Sequence, residues 1–395
     1  MLKTFDIDDL KEGMFIDSIA KQQGKFKITS RGRVDSLAVI NQLKKKGILS
    51  VVVDMDKQIK SDVVEIEEPV PIPEVFELPE LVPFEAELRV ANKLHLKGKN
   101  LQKRILDNIG KNLPIDIAIT EAFTQDLVSS IIRNPNALMC MTKIREKDTY
   151  LLDHSLNVAI LLAKFGTYID LEKEQIQELA LAGFLHDLGK VKIPDEILHK
   201  AGRLNEQEMT TMRDHVYYVT KELTDMQVSN SIVKTISQHH ERLDGYGYPE
   251  GLRGDEITQY GRMIAIVDTY DAITADRCYK AAKSSRKALQ ILLQDAPKKY
   301  DEVLVAQFVQ CIGIYPVGTL VKLSNKKVAM VLRQNPTHTT KPVVKVFYSV
   351  RSNHYLTPKE LDLAAVNHDV KIVEAVIARD LKLDFNKYFN EAIVI

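Results

Sequence analysis

The sequence predicts a mainly α-helical protein, a helical bundle flanked by a small α/β module before it and a β-rich extension after it. Three observations predict this. Apolar residues recur at helical spacing from about residue 86 to 313, prolines and glutamates crowd the stretch before that, and β-like apolar runs begin after Pro316. A chain of 395 residues exceeds one ordinary core, so two or three domains are expected.

The first module spans residues 1–56. Phe5-Asp6-Ile7 and Met14-Phe15-Ile16 read as short strands, and Ser50-Val51-Val52-Val53-Asp54 as another. Between them, Ser36 to Lys46 reads as an amphipathic helix, with Leu37, Ile40 and Leu43 at helical spacing and Ser36 as N-cap. Residues 57–85 hold five prolines, at 69, 71, 73, 79 and 83, which marks an extended linker. Residues 86–315 are expected to form the bundle. Its apolar faces include Ile176, Leu179, Gly183 and Phe184; Ile232, Val233 and Ile236; and Met263, Ile264 and Val267. In residues 316–395, Thr319 to Leu323 and Val343 to Phe347 read as strands, with a hairpin around Asn325-Lys326. The tail from Val370 is ambiguous between strand and helix.

Composition narrows the function classes. The chain carries 54 basic and 54 acidic side chains, so a general nucleic-acid binder, which needs a basic excess, is not indicated. Cys140, Cys278 and Cys311 are scattered and odd in number, as in a reduced cytoplasmic protein without a disulfide framework. No run approaches the roughly 20 apolar residues of a membrane span, and the N-terminus lacks an apolar signal core. A cytoplasmic location is expected.

Six of the ten histidines fall between positions 154 and 240. Setting His199 aside leaves His154, His186, His215, His239 and His240, joined by Asp187 and Asp268. Imidazoles and carboxylates without cysteine suit a borderline divalent metal rather than a structural zinc. In His186-Asp187, neighbours on a helix diverge by about 100°, so both reach metal only if the helix runs past a two-metal centre that Asp187 bridges. His239-His240 poses the same geometry at a helix end. Two adjacent metals suit phosphodiester hydrolysis, because water activated between them can attack phosphorus in line while they neutralise developing charge. Lys190, one turn beyond His186, would share its side by i,i+4 spacing and cradle a phosphate.

A second motif follows, His239-His240-Glu241-Arg242-Leu243-Asp244-Gly245-Tyr246-Gly247-Tyr248-Pro249. Its glycines and proline make a tight loop that lets backbone approach a ligand, with Tyr248 offering a ring and a hydroxyl. Together, His186-Asp187-Leu188-Gly189-Lys190 and this loop resemble the HD-GYP family over roughly residues 125–315. The resemblance implies an all-helical HD-GYP bundle around a multinuclear metal site. It also implies hydrolysis of cyclic di-GMP to a linear dinucleotide, pGpG, and in some members to GMP, while others prefer 3′,3′-cyclic GMP-AMP. Carried over position by position, it makes His154, His186, Asp187, His215, His239, His240 and Asp268 metal ligands. It makes Arg277 and Lys280 phosphate contacts, which a continuing helix from Asp268 would set along the substrate channel.

Two positions depart from the family pattern. Members with three metals carry a glutamate four residues before the first histidine, where this chain has Tyr150. That speaks for two metals, with Asp153 close by in sequence. Val216 stands where many members have proline, with local backbone consequences. The ligand set accepts iron or manganese first, and nickel or zinc as well. The N-terminal module, with Asp9-Leu10-Lys11-Glu12-Gly13-Met14-Phe15, is similar to a domain found ahead of HD-GYP domains. Its expected roles are regulatory or dimerising, with a homodimer through helices from about 86 to 150 or a regulatory protein partner. A phosphohydrolase acting on other nucleotides and a non-catalytic dinucleotide receptor are the rival readings. The tyrosine-proline loop disfavours the first, and the complete set of seven ligand positions disfavours the second.

Overall fold

The computed structural model describes residues 2–10, 14–23, 32–34, 40, 43–44, 46–55, 81–143, 150–275, 282–335, 338–365, 369–376, 381 and 383. The chain divides into two compact units, Met1–Pro73 and Glu74–Ile395.

In the first unit, strands β1 (Leu2–Asp6), β2 (Phe15–Gln22), β3 (Gly32–Arg33) and β4 (Ile48–Asp54) form an antiparallel sheet in the order β1-β4-β2-β3. The valine run earns β4 a central place, because alternation sends Val51 and Val53 into the core, where both are fully buried. Ile40 and Leu43 of the expected helix are buried against them, whereas Ser36 and Leu37 lie outside the described residues. So do residues 57–80, which hold four of the five linker prolines, and Lys11-Glu12-Gly13.

The second unit opens with eleven described α-helices. These are α1 (Phe84–Gly110), α2 (Ile117–Arg133), α3 (Pro135–Met141), α4 (Tyr150–Tyr168), α5 (Lys173–Leu185), α6 (Asp195–Leu198), α7 (Glu206–Asp225), α8 (Asn230–Ser237), α9 (Gln259–Thr274), α10 (Ser285–Lys299) and α11 (Glu302–Ile312). Local sequence sets their starts. Asp116, Asn134, Asn205, Ser229, Thr258, Ser284 and Asp301 each accept a free backbone N–H of the first turn through the side chain. Asn205 and Glu208 complete a reciprocal capping box. Helices α4 and α5 lie at the centre, with Val158, Leu162, Phe165, Leu179 and Phe184 fully buried.

Strands β5 (Leu320–Leu323), β6 (Lys327–Arg333), β7 (Val343–Ser349), β8 (His354–Asp362) and β9 (Ile372–Val376) then form an antiparallel sheet in the order β8-β7-β6-β5-β9. The β5–β6 hairpin turns at Asn325-Lys326, with Lys326 at φ 60°. Strand alternation divides the sheet's apolar residues. Leu320, Val328, Met330 and Phe347 join the helical core, while Val321, Ala329, Val331 and Val344 build a smaller one. The ambiguous tail resolves as strand over Ile372–Val376, and residues 384–395 lie outside the described ones.

Candidate metal centre

The seven expected ligands come together from five places in the bundle. His154 sits in the first turns of α4, His186 caps the C-terminus of α5 and Asp187 follows it. His215 lies midway along α7, His239-His240 follow α8, and Asp268 lies on α9. All but His240 are buried. Three groupings could each hold a cation, with ligand atoms within 4.8 Å of one another: His154, His186 and Asp268; His186, Asp187 and His239; and His215, His239 and His240.

The expectation that a helix runs past the centre is corrected. Helix α5 ends at Leu185, and after Asp187 the chain tightens into a 3-10 turn, Leu188–Lys192. His186 itself keeps helical dihedrals, φ −55° and ψ −34°, so it and Asp187 still diverge as helix neighbours do. The turn begins after them and sets the direction of Lys190. In a 3-10 turn, residues three apart align, so Lys190 Nζ lies 2.5 Å from Asp187 Oδ2, and its charge also acts on His186. The turn lies so close to α7 that a Cβ on Gly189 would come within 1.9 Å of the His215 carbonyl oxygen.

Asp187 reaches in two directions. Its Oδ2 lies 3.4 Å from His154 Nε2 and 3.5 Å from His186 Nε2, while its Oδ1 lies 3.7 Å from His215 Nε2. Asp268 Oδ1 lies 3.0 Å from His154 Nε2, and its Oδ2 3.8 Å from His240 Nδ1.

Four rings are held from behind by Nδ1. His186, His215 and His239 bond the carbonyls of Gly183, Met212 and Ile236 at 2.8, 2.6 and 2.6 Å, and His154 bonds Asp271 Oδ2 at 2.8 Å. In the three rings bonded to carbonyls, donation from Nδ1 leaves Nε2 the acceptor and aims it at the centre, which is how metal-binding imidazoles are oriented; His154 Nε2 faces Asp268 and must give up its proton to bind metal. Asp271 escaped the sequence reading, although its place three residues after Asp268 on one helix was a usable signal.

The electrostatics agree. Burial pushes His215 down to about 4 and His239 down to about 3, and it also lowers His186 and His240. For His154, burial opposes the charge, but the hydrogen bonds to Asp268 and Asp271 prevail and hold it up to about 9. Burial works against ionised Asp187 and Asp268 too, yet the surrounding histidines, with Lys190 beside Asp187, keep both below the usual carboxylate range. The result is mostly neutral imidazoles and ionised carboxylates, the forms that bind metal. His186 Nε2 and Asp187 Oδ1 are buried without a hydrogen-bond partner. Buried polar atoms are costly to leave unpaired, so the residues fit bound divalent ions.

The tyrosine-proline loop borders the centre. Tyr248 stacks on His240 with ring centroids 4.6 Å apart, and Glu241, also missed from sequence, shapes the loop. Its buried carboxylate accepts the backbone N–H groups of Glu250, Gly251 and Leu252. Close backbone approach explains Gly247, where a Cβ would come within 2.5 Å of the Arg242 nitrogen.

Other expectations end elsewhere. Helix α9 spans Gln259–Thr274, and Arg277 and Lys280, with Cys278, lie outside the described residues. Asp153 is buried and pairs with Lys99 of α1 at 3.2 Å; the Tyr150 side chain lies outside the described residues. His199 is exposed beside Asp195.

A helical bundle that closes histidines and aspartates around a buried, cation-ready centre is the architecture of HD-type metal-dependent phosphohydrolases. The chain belongs to the HD-domain family, in its HD-GYP branch. The HD domain matches residues 128–304, a domain of unknown function (DUF3391) matches 2–119, and a KOW domain associated with HD domain matches 320–384. A cyclic di-GMP phosphodiesterase of Pseudomonas aeruginosa is 31% identical over 385 residues, covering 94% of this chain and 92% of that protein. The cyclic di-GMP phosphodiesterase PdeB of Borreliella burgdorferi is 27% identical, covering 60% of this chain and 63% of its own. A 3′,3′-cGAMP-specific phosphodiesterase of Vibrio cholerae is 31% identical, covering 53% and 48%. Among the described residues, no helix is long and apolar enough to cross a membrane.

Proposed function

We propose that the chain is a metal-dependent phosphodiesterase that hydrolyses cyclic di-GMP to linear pGpG, with onward conversion to GMP as an alternative end point. The observation that carries this reading is Asp187, one oxygen of which faces His154 and His186 and the other His215. His154, His186 and Asp268 would hold one ion, His215, His239 and His240 the other, and Asp187 would bridge them. Iron or manganese suits these ligands best, with nickel and zinc next. Tyr150, in place of a glutamate, argues for two ions rather than three.

Bound divalent ions would supply Lewis-acid activation of water and of the phosphoryl oxygens. The chain's own residues do the rest. Backbone bonds to His186, His215 and His239, and Asp271 behind His154, fix four of the imidazoles before substrate arrives, so little reorganisation is needed at the reacting centre. Lys190, beside Asp187, offsets buried negative charge and contributes an ammonium to the phosphate. Tyr248 forms the wall of the substrate site, and Arg277 and Lys280 contact its phosphates.

Residues 86–315 are assigned as the catalytic domain, 1–56 as a regulatory module, 57–85 as linker and 316–395 as an extension. A cytoplasmic location, a homodimer through helices between 86 and 150, and a regulatory protein partner belong to the same reading. Selectivity for 3′,3′-cyclic GMP-AMP is the second reading, favoured by the likeness to the Vibrio cholerae enzyme. The test is chromatography of products after incubation with either dinucleotide. Conversion of cyclic di-GMP to pGpG by the wild type, lost in Asp187→Ala, is expected. Cleavage of cyclic GMP-AMP alone would select the second reading, and tight binding without cleavage would make the protein a receptor.

A further inference from the structure

Arg213 lies on α7, two residues before His215, and is exposed. Its guanidinium carbon lies 5.0 Å from the centroid of the Tyr248 ring. It carries no ion pair or hydrogen bond to another described residue. Tyr248 in turn stacks on His240, with rings tilted by 37°. A series of contacts therefore leads outward from the metal centre: His240, partly exposed; Tyr248, half-buried; and Arg213 at the surface. One turn to either side of Arg213, Met209 and Tyr217 share its helix face and are 38% and 60% exposed. An unpaired donor fork, flanked by two exposed apolar side chains, thus stands at the rim of a site built for an anion.

We propose that Arg213 reads a guanine base of the substrate, donating two N–H groups to its O6 and N7 while the base lies against Met209 or Tyr217. The inference rests on the dinucleotide activity proposed above. A phosphodiester held at the metal centre has a nucleoside attached on each side, and the Tyr248 wall leads one of them to Arg213. Guanine presents two adjacent acceptors on that edge, which match the guanidinium fork. Adenine presents an amino donor in place of O6, and arginine has no acceptor to offer it.

The experiment uses full-length, metal-loaded protein, wild type, Arg213→Ala and Arg213→Lys. kcat and KM are measured with cyclic di-GMP, cyclic di-AMP and bis(4-nitrophenyl) phosphate, which has no base to read. In Arg213→Ala, KM for cyclic di-GMP should rise about tenfold, with kcat within about twofold, and the preference for cyclic di-GMP over cyclic di-AMP should fall about tenfold. Lysine should not restore it, since an ammonium lacks the planar fork. Turnover of bis(4-nitrophenyl) phosphate should fall less than about twofold. An unchanged KM in a wild-type-active background would overturn the inference. So would an equal loss on all three substrates, which would make Arg213 a phosphate contact or a structural residue. A wild type inert towards cyclic di-GMP would instead sink the proposed function, and the inference with it.

Discussion

The Nε2 nitrogens of His215 and His239 face one another across 3.4 Å. Each ring already uses Nδ1 to bond a backbone carbonyl, of Met212 and Ile236 respectively. Each Nε2 therefore presents a lone pair, and two lone pairs at this distance repel unless a cation lies between them. Metal removal should destabilise the folded protein. At a metal concentration 1,000 times the dissociation constant, the stabilisation is about 4 kcal/mol. The melting temperature should drop on chelation and recover when manganese is restored; an unchanged melting temperature would speak against a bound cation.

Asp271 should act through His154. It accepts from the far nitrogen of that ring, at 2.8 Å, and so fixes which nitrogen faces the metal. Asp271→Ala should weaken metal binding roughly 10- to 100-fold, with turnover largely restored by excess metal. Equilibrium dialysis reads the affinity directly, and wild-type affinity in the variant would remove Asp271 from this role.

Gly189→Ala tests the turn that carries Asp187. The added methyl would lie 1.9 Å from the His215 carbonyl oxygen, so the 3-10 turn or α7 must shift. A loss of about 3 kcal/mol is expected in urea unfolding, together with reduced metal content. Wild-type stability would mean that the two elements are looser than their contact implies.

The pH dependence of the metal-free protein has two limbs. Burial holds His215 at about 4 and His239 at about 3, against 6.5 for a free imidazole, so from pH 6.5 to 4 the unfolded chain binds protons that the folded chain excludes. Stability should fall as pH falls across that window, because unfolding lets both rings take up protons. His154 runs the other way. Raised to about 9, it gives stability that is complete below 6.5 and lost as pH rises through 9. Urea midpoints should peak near pH 6.5; a midpoint that rises towards pH 4 would contradict these assignments.

Much of the centre was legible because metal ligation restricts residue type. Histidine doublets and aspartates within a helical pattern have few alternative uses, and all seven meet in the fold. Helical periodicity likewise located the bundle, and Val51 and Val53 marked the buried strand of the first unit. What escaped depends on backbone path. The change to a 3-10 turn after Asp187 brings Lys190 onto Asp187, a pairing that helical spacing did not suggest. Residue type also hid the supporting roles of Asp271 and Glu241, since a carboxylate that orients a ring or a loop looks in sequence like any other.

The most direct test is a titration of metal-free protein with manganese, followed by cyclic di-GMP cleavage and by ions bound per chain. Turnover should climb to a plateau at two ions bound, and Asp187→Ala should bind fewer and cleave nothing. Full turnover in thoroughly chelated protein, or an Asp187→Ala variant that still binds two ions and cleaves at the wild-type rate, would contradict the account.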